Sequence, residues 1–282
     1  MSADGYPRVE RSSARWALTT LFGVLALLVL VPVIYVVGTS VRPLADIQAS
    51  PLGLPTSPVL DALSEVWNRS GMPRSIVNST LISAGSAITM GICASMAAYA
   101  FVFAPFRGAR AVFLVIIAGS MLPAQAILYP LFTQLLNAGL INTFPGVILA
   151  QSSFGLPLTT FAFAAYFRSL PGELVEAAAI DGASSLRTLV HVILPMSGPI
   201  VATTGILNFV WTWNDLLLPL IILQDQENQT LIQTLSLLPG QAGIDENVLA
   251  ATAVIGMVPL IGLFLIAQRR IVAGMTAGAV KG

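Results

Sequence analysis

Three long stretches of this chain, residues 16–41, 75–106 and 111–167, contain no Asp, Glu, Lys or Arg. In water, runs of that length would have to bury every side chain; in a bilayer they meet the solvent they suit. The rest of the composition points the same way. Of 282 residues, 56% are hydrophobic and only 9% charged, with a mean hydropathy of +0.84. A soluble domain carries roughly 25% charged residues, so a water-soluble globule is excluded, and so is a disordered chain, which needs high charge and low hydrophobicity. Thirteen Lys and Arg balance thirteen Asp and Glu, which leaves no basic field for a nucleic acid. Cys93 is the only cysteine; it can neither close an intrachain disulfide nor build a cysteine metal site.

The gaps between charges set the number of crossings. The stretch 111–167 is too long for one span of about 20 residues and contains a turn-like segment from Asn137 to Gly146, so it divides in two. A further apolar run follows Pro199, and residues 247–268 are free of charge. The expected fold is all-α, a polytopic membrane protein with six transmembrane helices at 16–39, 76–103, 111–136, 145–166, 200–223 and 249–268. The first run follows Arg8, Arg11 and Arg15 as a secretory signal would, but it is longer than a signal core, and five spans follow it. We read it as an uncleaved span.

Orientation follows from the basic residues of the loops. Segments 1–15, 104–110, 167–199 and 269–282 hold ten Lys and Arg; the opposite set of equal total length, 40–75, 137–144 and 224–248, holds three. The first set is therefore expected in the cytoplasm, with both termini. The domain plan is a cytoplasmic N-terminal segment 1–15, a six-helix transmembrane domain 16–268 containing a cytoplasmic loop 167–199, and a cytoplasmic tail 269–282.

Ionisable groups inside lipid are costly and mark function. Asp215 is the only charge within the six spans, too few acids for an ordinary ion-coupled carrier. An ATP-binding P-loop needs a Lys preceded by glycines and followed by Ser or Thr; the sole Lys is Lys281, next to the final Gly282. The chain is not an enzyme by itself, and its driving energy is expected from another chain. A secondary transporter working alone is the second reading, with Asp215 as its only coupling candidate. A structural scaffold is a third.

Within the spans, Ser83, Ala87, Gly91 and Ser95 recur every four residues and form a stripe for close helix packing, inside this subunit or against a second one. Pro123 and Pro130 should kink or break the third span. Gln125 between them either lines a cavity or bonds locally. In the fifth span Trp211, Trp213, Asn214 and Asp215 combine aromatic faces with polar acceptors. That combination suits a polyhydroxylated ligand, or else the tryptophans pack and neighbouring helices satisfy Asp215.

The loop 167–199 has a helical pattern. Pro171 suits a first helical position; Glu173 and Glu176 lie where the helix dipole favours negative charge. Gly182 suits a left-handed terminus, and Ser184 or Ser185 can cap a second helix running towards Leu194 and Pro195. A short helix rich in alanine with an acidic edge fits a groove on a protein better than a lipid surface, where Lys and Arg would be favoured.

These residues resemble a known family. Glu176-Ala177-Ala178, three residues, Gly182, nine residues, then Val192-x-Leu194-Pro195 is similar to the signature loop of bacterial ABC-importer permeases, with Val192 where that pattern has Ile and Asp181 completing its common Asp-Gly-Ala form. Met121 to Gln125, Tyr129 to Phe132, Gly139 to Thr143 and Asn214 to Pro219 resemble the carbohydrate-importer branch. The C-terminus from Gln268 to Gly282 resembles the smaller, six-helix permease of maltose-type systems. The resemblance implies a subunit of the bacterial inner membrane that pairs with a second permease, two ATPase subunits carrying ATP and Mg, and an extracytoplasmic sugar-binding protein. No cofactor would sit on this chain. Glu176, Ala177, Ala178, Asp181 and Gly182, with Leu194 and Pro195, would form the ATPase-coupling elbow. Arg269, Arg270 and Lys281 would lie in a tail reaching the ATPases.

Overall fold

The structure, a computed structural model, describes residues 11–68, 71–237 and 245–279. Among the described residues every regular element is helical, as the all-α reading expects. Residues 1–10, including Arg8, and Lys281 lie outside the described residues, as do the side chains of Arg269 and Arg270.

The chain divides into two compact units, residues 1–69 with 241–257, and residues 70–240 with 258–282. In the first, α1 (Arg11–Ser40) is apolar on all sides, and its side chains from Trp16 to Pro32 are exposed. The following segment, which the sequence left unassigned, is organised by one buried cation. Arg42, 3% exposed, donates to the carbonyls of Pro51 (3.2 Å), Asp46 (2.8 Å) and Ser50 (2.7 Å), closing the chain around α2 (Leu44–Ala49). Val66 of α3 (Asp61–Asn68) is buried, and Asn247 donates to the Arg42 carbonyl.

The second unit is built on α4 (Met72–Val102), which packs along α7 (Phe144–Phe167). Their close approach needs small residues: a Cβ on Gly155 would collide with the Met90 sulfur. Between them in sequence come α5 (Ala109–Gly119) and α6 (Ala124–Asn137). The sequence expected one span at 111–136, kinked at two prolines. The structure bends the pair by 101° at the break ending in Pro123, whereas Pro130 sits inside α6 without ending it. Pro130 is exposed, so its ring and missing donor disturb no packed neighbour. The turn expected near 137–146 is present: Gly139 and Asn142 have positive φ, and Thr143 caps α7 by accepting from the Gly146 amide at 3.2 Å.

Beyond α7 come α8 (Glu173–Ile180), α9 (Ser185–Thr188), a π turn at Leu189–Ile193 and α10 (Leu194–Met196). The run Ser185–Met196 meets α11 (Gly198–Trp213) at an 85° bend. The buried Ser197 hydroxyl bonds back to the Ile193 carbonyl at 2.7 Å there. The expected continuous span at 200–223 is corrected. Helix α11 ends at Trp213, and α12 (Leu217–Ile222) follows after a break. Asn214 donates to the Val210 carbonyl (2.8 Å), and Asp215 accepts from the Leu217 amide (3.1 Å). The Asp215 side chain thus takes up an amide that a continuous helix would need, while the Val210 carbonyl keeps its helical bond from the Asn214 amide as well (3.2 Å).

The segment from Gln226 to α13 (Leu231–Leu237) completes the second unit's compact part, and α14 (Glu246–Ala279) belongs partly to each unit. Among the described residues four helices are long and apolar enough to cross a membrane, and counting each bent pair as one span gives six.

Candidate functional site

The elbow between α7 and α11 is the first candidate. Its turn is a Schellman motif: the Gly182 amide donates to Ala179 (3.0 Å) and the Ala183 amide to Ala178 (2.9 Å), with Gly182 at φ +75°. No atom lies within 4 Å of a Cβ built on Gly182. The backbone conformation, not space, therefore selects glycine here. Of the two candidate caps it is Ser184 that accepts from the Arg187 amide. Pro171 lies outside the helix rather than at its first position, since α8 begins at Glu173 after Gly172.

Helix α8 has two faces. Val175 packs on a cluster made by Ala94, Ala98 and Tyr99 of α4, Phe163 and Phe167 of α7, and Leu189 and Ile193 of the π turn. Ala178 is buried and Leu174 half-buried beside it. On the other side Glu176, Ala177 and Ile180 are exposed, Ile180 by 86%. The outward surface is thus a small apolar knob with an acidic edge, attached from behind through Val175 to the cluster that α4, α7 and the π turn share. Asp181 is exposed at the helix terminus; Leu194 is half-buried in the same cluster and Pro195 is exposed.

The second candidate is the break between α11 and α12. Trp211 and Trp213 are two residues apart, which places them on nearly opposite sides of a helix. Trp211 is 46% exposed, whereas Trp213 is 2% exposed and stacks on Phe209 at 5.7 Å. Asn214 is exposed at the tip of the break. Asp215 is half-buried and held on both oxygens, by the Leu217 amide and by Gln151 Nε2 at 3.0 Å. Gln125 is exposed near the start of α6, and among the described residues no hydrogen bond joins it to this break. The structure therefore separates the five residues: Trp211, Asn214 and Gln125 face outward, and Trp213 and Asp215 pack inside.

Sequence reading missed Gln151 and Ser86. Both are fully buried; Ser86 Oγ donates to Gln151 Oε1 at 2.9 Å, and Gln151 Nε2 also reaches the Thr212 carbonyl at 3.2 Å. The signal was available: Gln151 is the only carboxamide in the fourth span, and a polar group of that size in lipid needs a partner.

Comparison with known proteins extends these observations. Residues 87–277 match the family described as binding-protein-dependent transport system inner membrane component. The diacetylchitobiose uptake system permease protein NgcG of Streptomyces coelicolor is 33% identical over 258 residues, covering 91% of this chain and 85% of that one. The melibiose/raffinose/stachyose import permease protein MelC of Bacillus subtilis is 32% identical over 276 residues, covering 98% and 100%. Among solved structures, a bacterial ABC transporter involved in import of the acidic polysaccharide alginate contains a chain of the same fold. Its TM-score is 0.79 at 23% identity, over 94% of this chain and 99% of that one. With the match spanning the elbow, the broken fifth span and most of the helical unit around them, this chain belongs to the binding-protein-dependent transport system inner membrane component family. It is a multi-pass permease subunit of the inner membrane that works with a separate ATPase and a binding protein.

Proposed function

We propose that this permease serves an ATP-driven importer of di- and oligosaccharides, paired with a second homologous permease, an ATPase dimer and an extracytoplasmic sugar-binding protein. The sugar class is supported by relatives named for diacetylchitobiose and for melibiose, raffinose and stachyose. It is also supported by the outward ring of Trp211 beside the exposed carboxamide of Asn214, a pairing that suits sugar C–H faces and hydroxyls.

The observation that carries the mechanism is the two-sided α8. Its exposed Glu176, Ala177 and Ile180 form the cytoplasmic knob for a cleft of the ATPase, while Val175 bears on the cluster shared by α4, α7 and the π turn. When the ATPase dimer closes on ATP, the knob moves as a body, because the Schellman turn fixes its outgoing chain. The displacement passes through the apolar cluster to α4 and α7, and through Ser185–Met196 to the 85° bend and α11. The pathway then alternates between inward- and outward-facing forms. The basic tail around Arg269, Arg270 and Lys281 adds a second contact with the ATPases.

The test is uptake. Cells lacking their own importers, expressing this chain with its genomic neighbours, should take up labelled melibiose, raffinose or diacetylchitobiose with saturation. An ATPase whose P-loop Lys is replaced by Ala should abolish that uptake. Uptake that persists without the ATPase would contradict the proposal and make the chain a secondary carrier.

A further inference from the structure

The polar contacts around the α11–α12 break converge on one side chain that is not itself at the break. Gln151 projects from the middle of α7 and is fully buried. Its Nε2 donates on one side of the break to the Thr212 carbonyl (3.2 Å) and on the other to Asp215 Oδ2 (3.0 Å). Both partners can only accept, so the carboxamide has one usable orientation. Its Oε1 is left to accept from Ser86 Oγ of α4 (2.9 Å). Asp215, oriented in this way, uses its other oxygen to receive the Leu217 amide, the first amide of α12 (3.1 Å).

We infer that Gln151 is a positioning residue of the translocation path: it holds the break between α11 and α12 open and thereby sets where Asn214 and Trp211 point. The inference rests on the reading of that break as part of the sugar path. The physical basis is the chemistry of the break. Residues 209–218 are largely apolar, and in a membrane interior a helix is the least costly backbone for them; Pro219 leaves the Asp215 carbonyl without its helical donor and so favours a break here, and the side chains around the break decide its shape. Asp215 competes with the helix only while its carboxylate is aimed at the Leu217 amide. A short side chain with free rotation would not hold that aim alone. Gln151 supplies it by bonding the strand of chain before the break and the carboxylate after it. Ser86 in turn fixes the Gln151 amide, so α4, α7 and α11 contribute one group each to a single clamp.

The single cysteine of the chain makes a clean test possible. In a Cys93→Ser background, Asn214→Cys places a reporter at the tip of the break, read by its labelling rate with the charged reagent methanethiosulfonate ethyltrimethylammonium in membranes holding the assembled transporter. Gln151→Glu sets two carboxylates against each other and should change that rate by about tenfold, the loss expected for a broken buried hydrogen-bond network. Adding Asp215→Asn to Gln151→Glu restores a carboxyl–carboxamide pair in reversed order and should bring the rate back to within about threefold of the parent, lacking only the Thr212 bond. A role in bulk packing alone would not be rescued by the reversal. Ser86→Ala, which keeps the rest of the fold intact, should give a smaller shift of about threefold. N-ethylmaleimide labelling of the native Cys93, in chains otherwise carrying the same Gln151 and Ser86 changes, should stay constant and shows that the bundle is assembled. If the reporter is labelled in the parent but is indifferent to both Gln151→Glu and Ser86→Ala, the positioning role is overturned. If the reporter is never labelled, in parent or variants, the break does not line a watery path, and the path reading falls together with this inference.

Discussion

The two ends of the bundle made by α4, α7 and α11 are fastened by different forces. At the elbow end the contacts are apolar. Tyr99, Phe103, Phe163 and Phe167 lie in ring contact at 5.5–6.1 Å, and Leu189 and Ile193 of the π turn press against them. The other end has an apolar cluster too, with Ile82, Val147, Leu218 and Ile222, but there a network of directed hydrogen bonds is added to it. Asn142 accepts from the amides of Gln224 (3.2 Å) and Asp225 (3.1 Å), donates its own amide to the Ile222 carbonyl (2.8 Å), and its Nδ2 bonds the Asp225 carboxylate. Asn78 holds the carbonyls of Glu227 and Gln229, and Ser79 receives the Leu231 amide at 2.7 Å. Hydrogen bonds of this kind allow one register, because each lost bond leaves a polar group unpaired. Packed rings and aliphatic side chains have no such directionality, but they are close-packed and pass a displacement on to their neighbours. In the proposed mechanism the end that takes the push is joined by packing alone, and the far end is clasped as well.

Substitutions at three positions sharpen this contrast. The largest effect is expected from Gly182→Pro, which removes the amide bonded to Ala179 and cannot adopt φ +75°. Membrane insertion should be retained and co-purification of the ATPase lost. Gly182→Asn, which tolerates the left-handed region, should keep most of it. Normal ATPase recovery with Gly182→Pro would show that the turn is not what presents the knob. Next, Phe163→Ala opens a cavity in the apolar cluster, where the ring is 1% exposed. It should destabilise the purified transporter by about 3–5 kcal/mol and speed hydrogen exchange across 185–196 while leaving 222–231 unchanged. The smallest shift is expected from Asn142→Ala, which loses the side-chain bonds and places a Cβ residue with no compensating polar group at φ +61°. A cost of about 2–3 kcal/mol should appear as faster exchange confined to 222–231. Equal spreading of both effects through the bundle would contradict the contrast.

Much of this was readable from the chain. Charge-free runs mark spans because lipid excludes charge whatever the tertiary structure, and Gly182 with Ser184 marks the elbow because both act locally on the backbone. Other features depend on partners far along the sequence. Residues 200–223 read as one apolar span, and Asn214 and Asp215 read as ligand chemistry; their effect on the helix shows only once Gln151 is seen to hold Asp215 from another helix. The tryptophan pair reads either as a face for one ligand or as packing, and helical geometry divides it, with Trp211 facing outward and Trp213 in the core. The folded segment around Arg42 had no signal because its partners are backbone carbonyls, which every residue supplies.

Disulfide cross-linking at the elbow tests the central claim most directly. In the Cys93→Ser background, Ala177→Cys should form a disulfide with a cysteine placed in the docking cleft of the ATPase, with a yield that changes when ATP is added. It should stay unreactive towards a membrane-impermeant thiol reagent applied outside intact cells. Labelling from outside, or no cross-link to any ATPase cysteine while the complex remains assembled, would contradict the account.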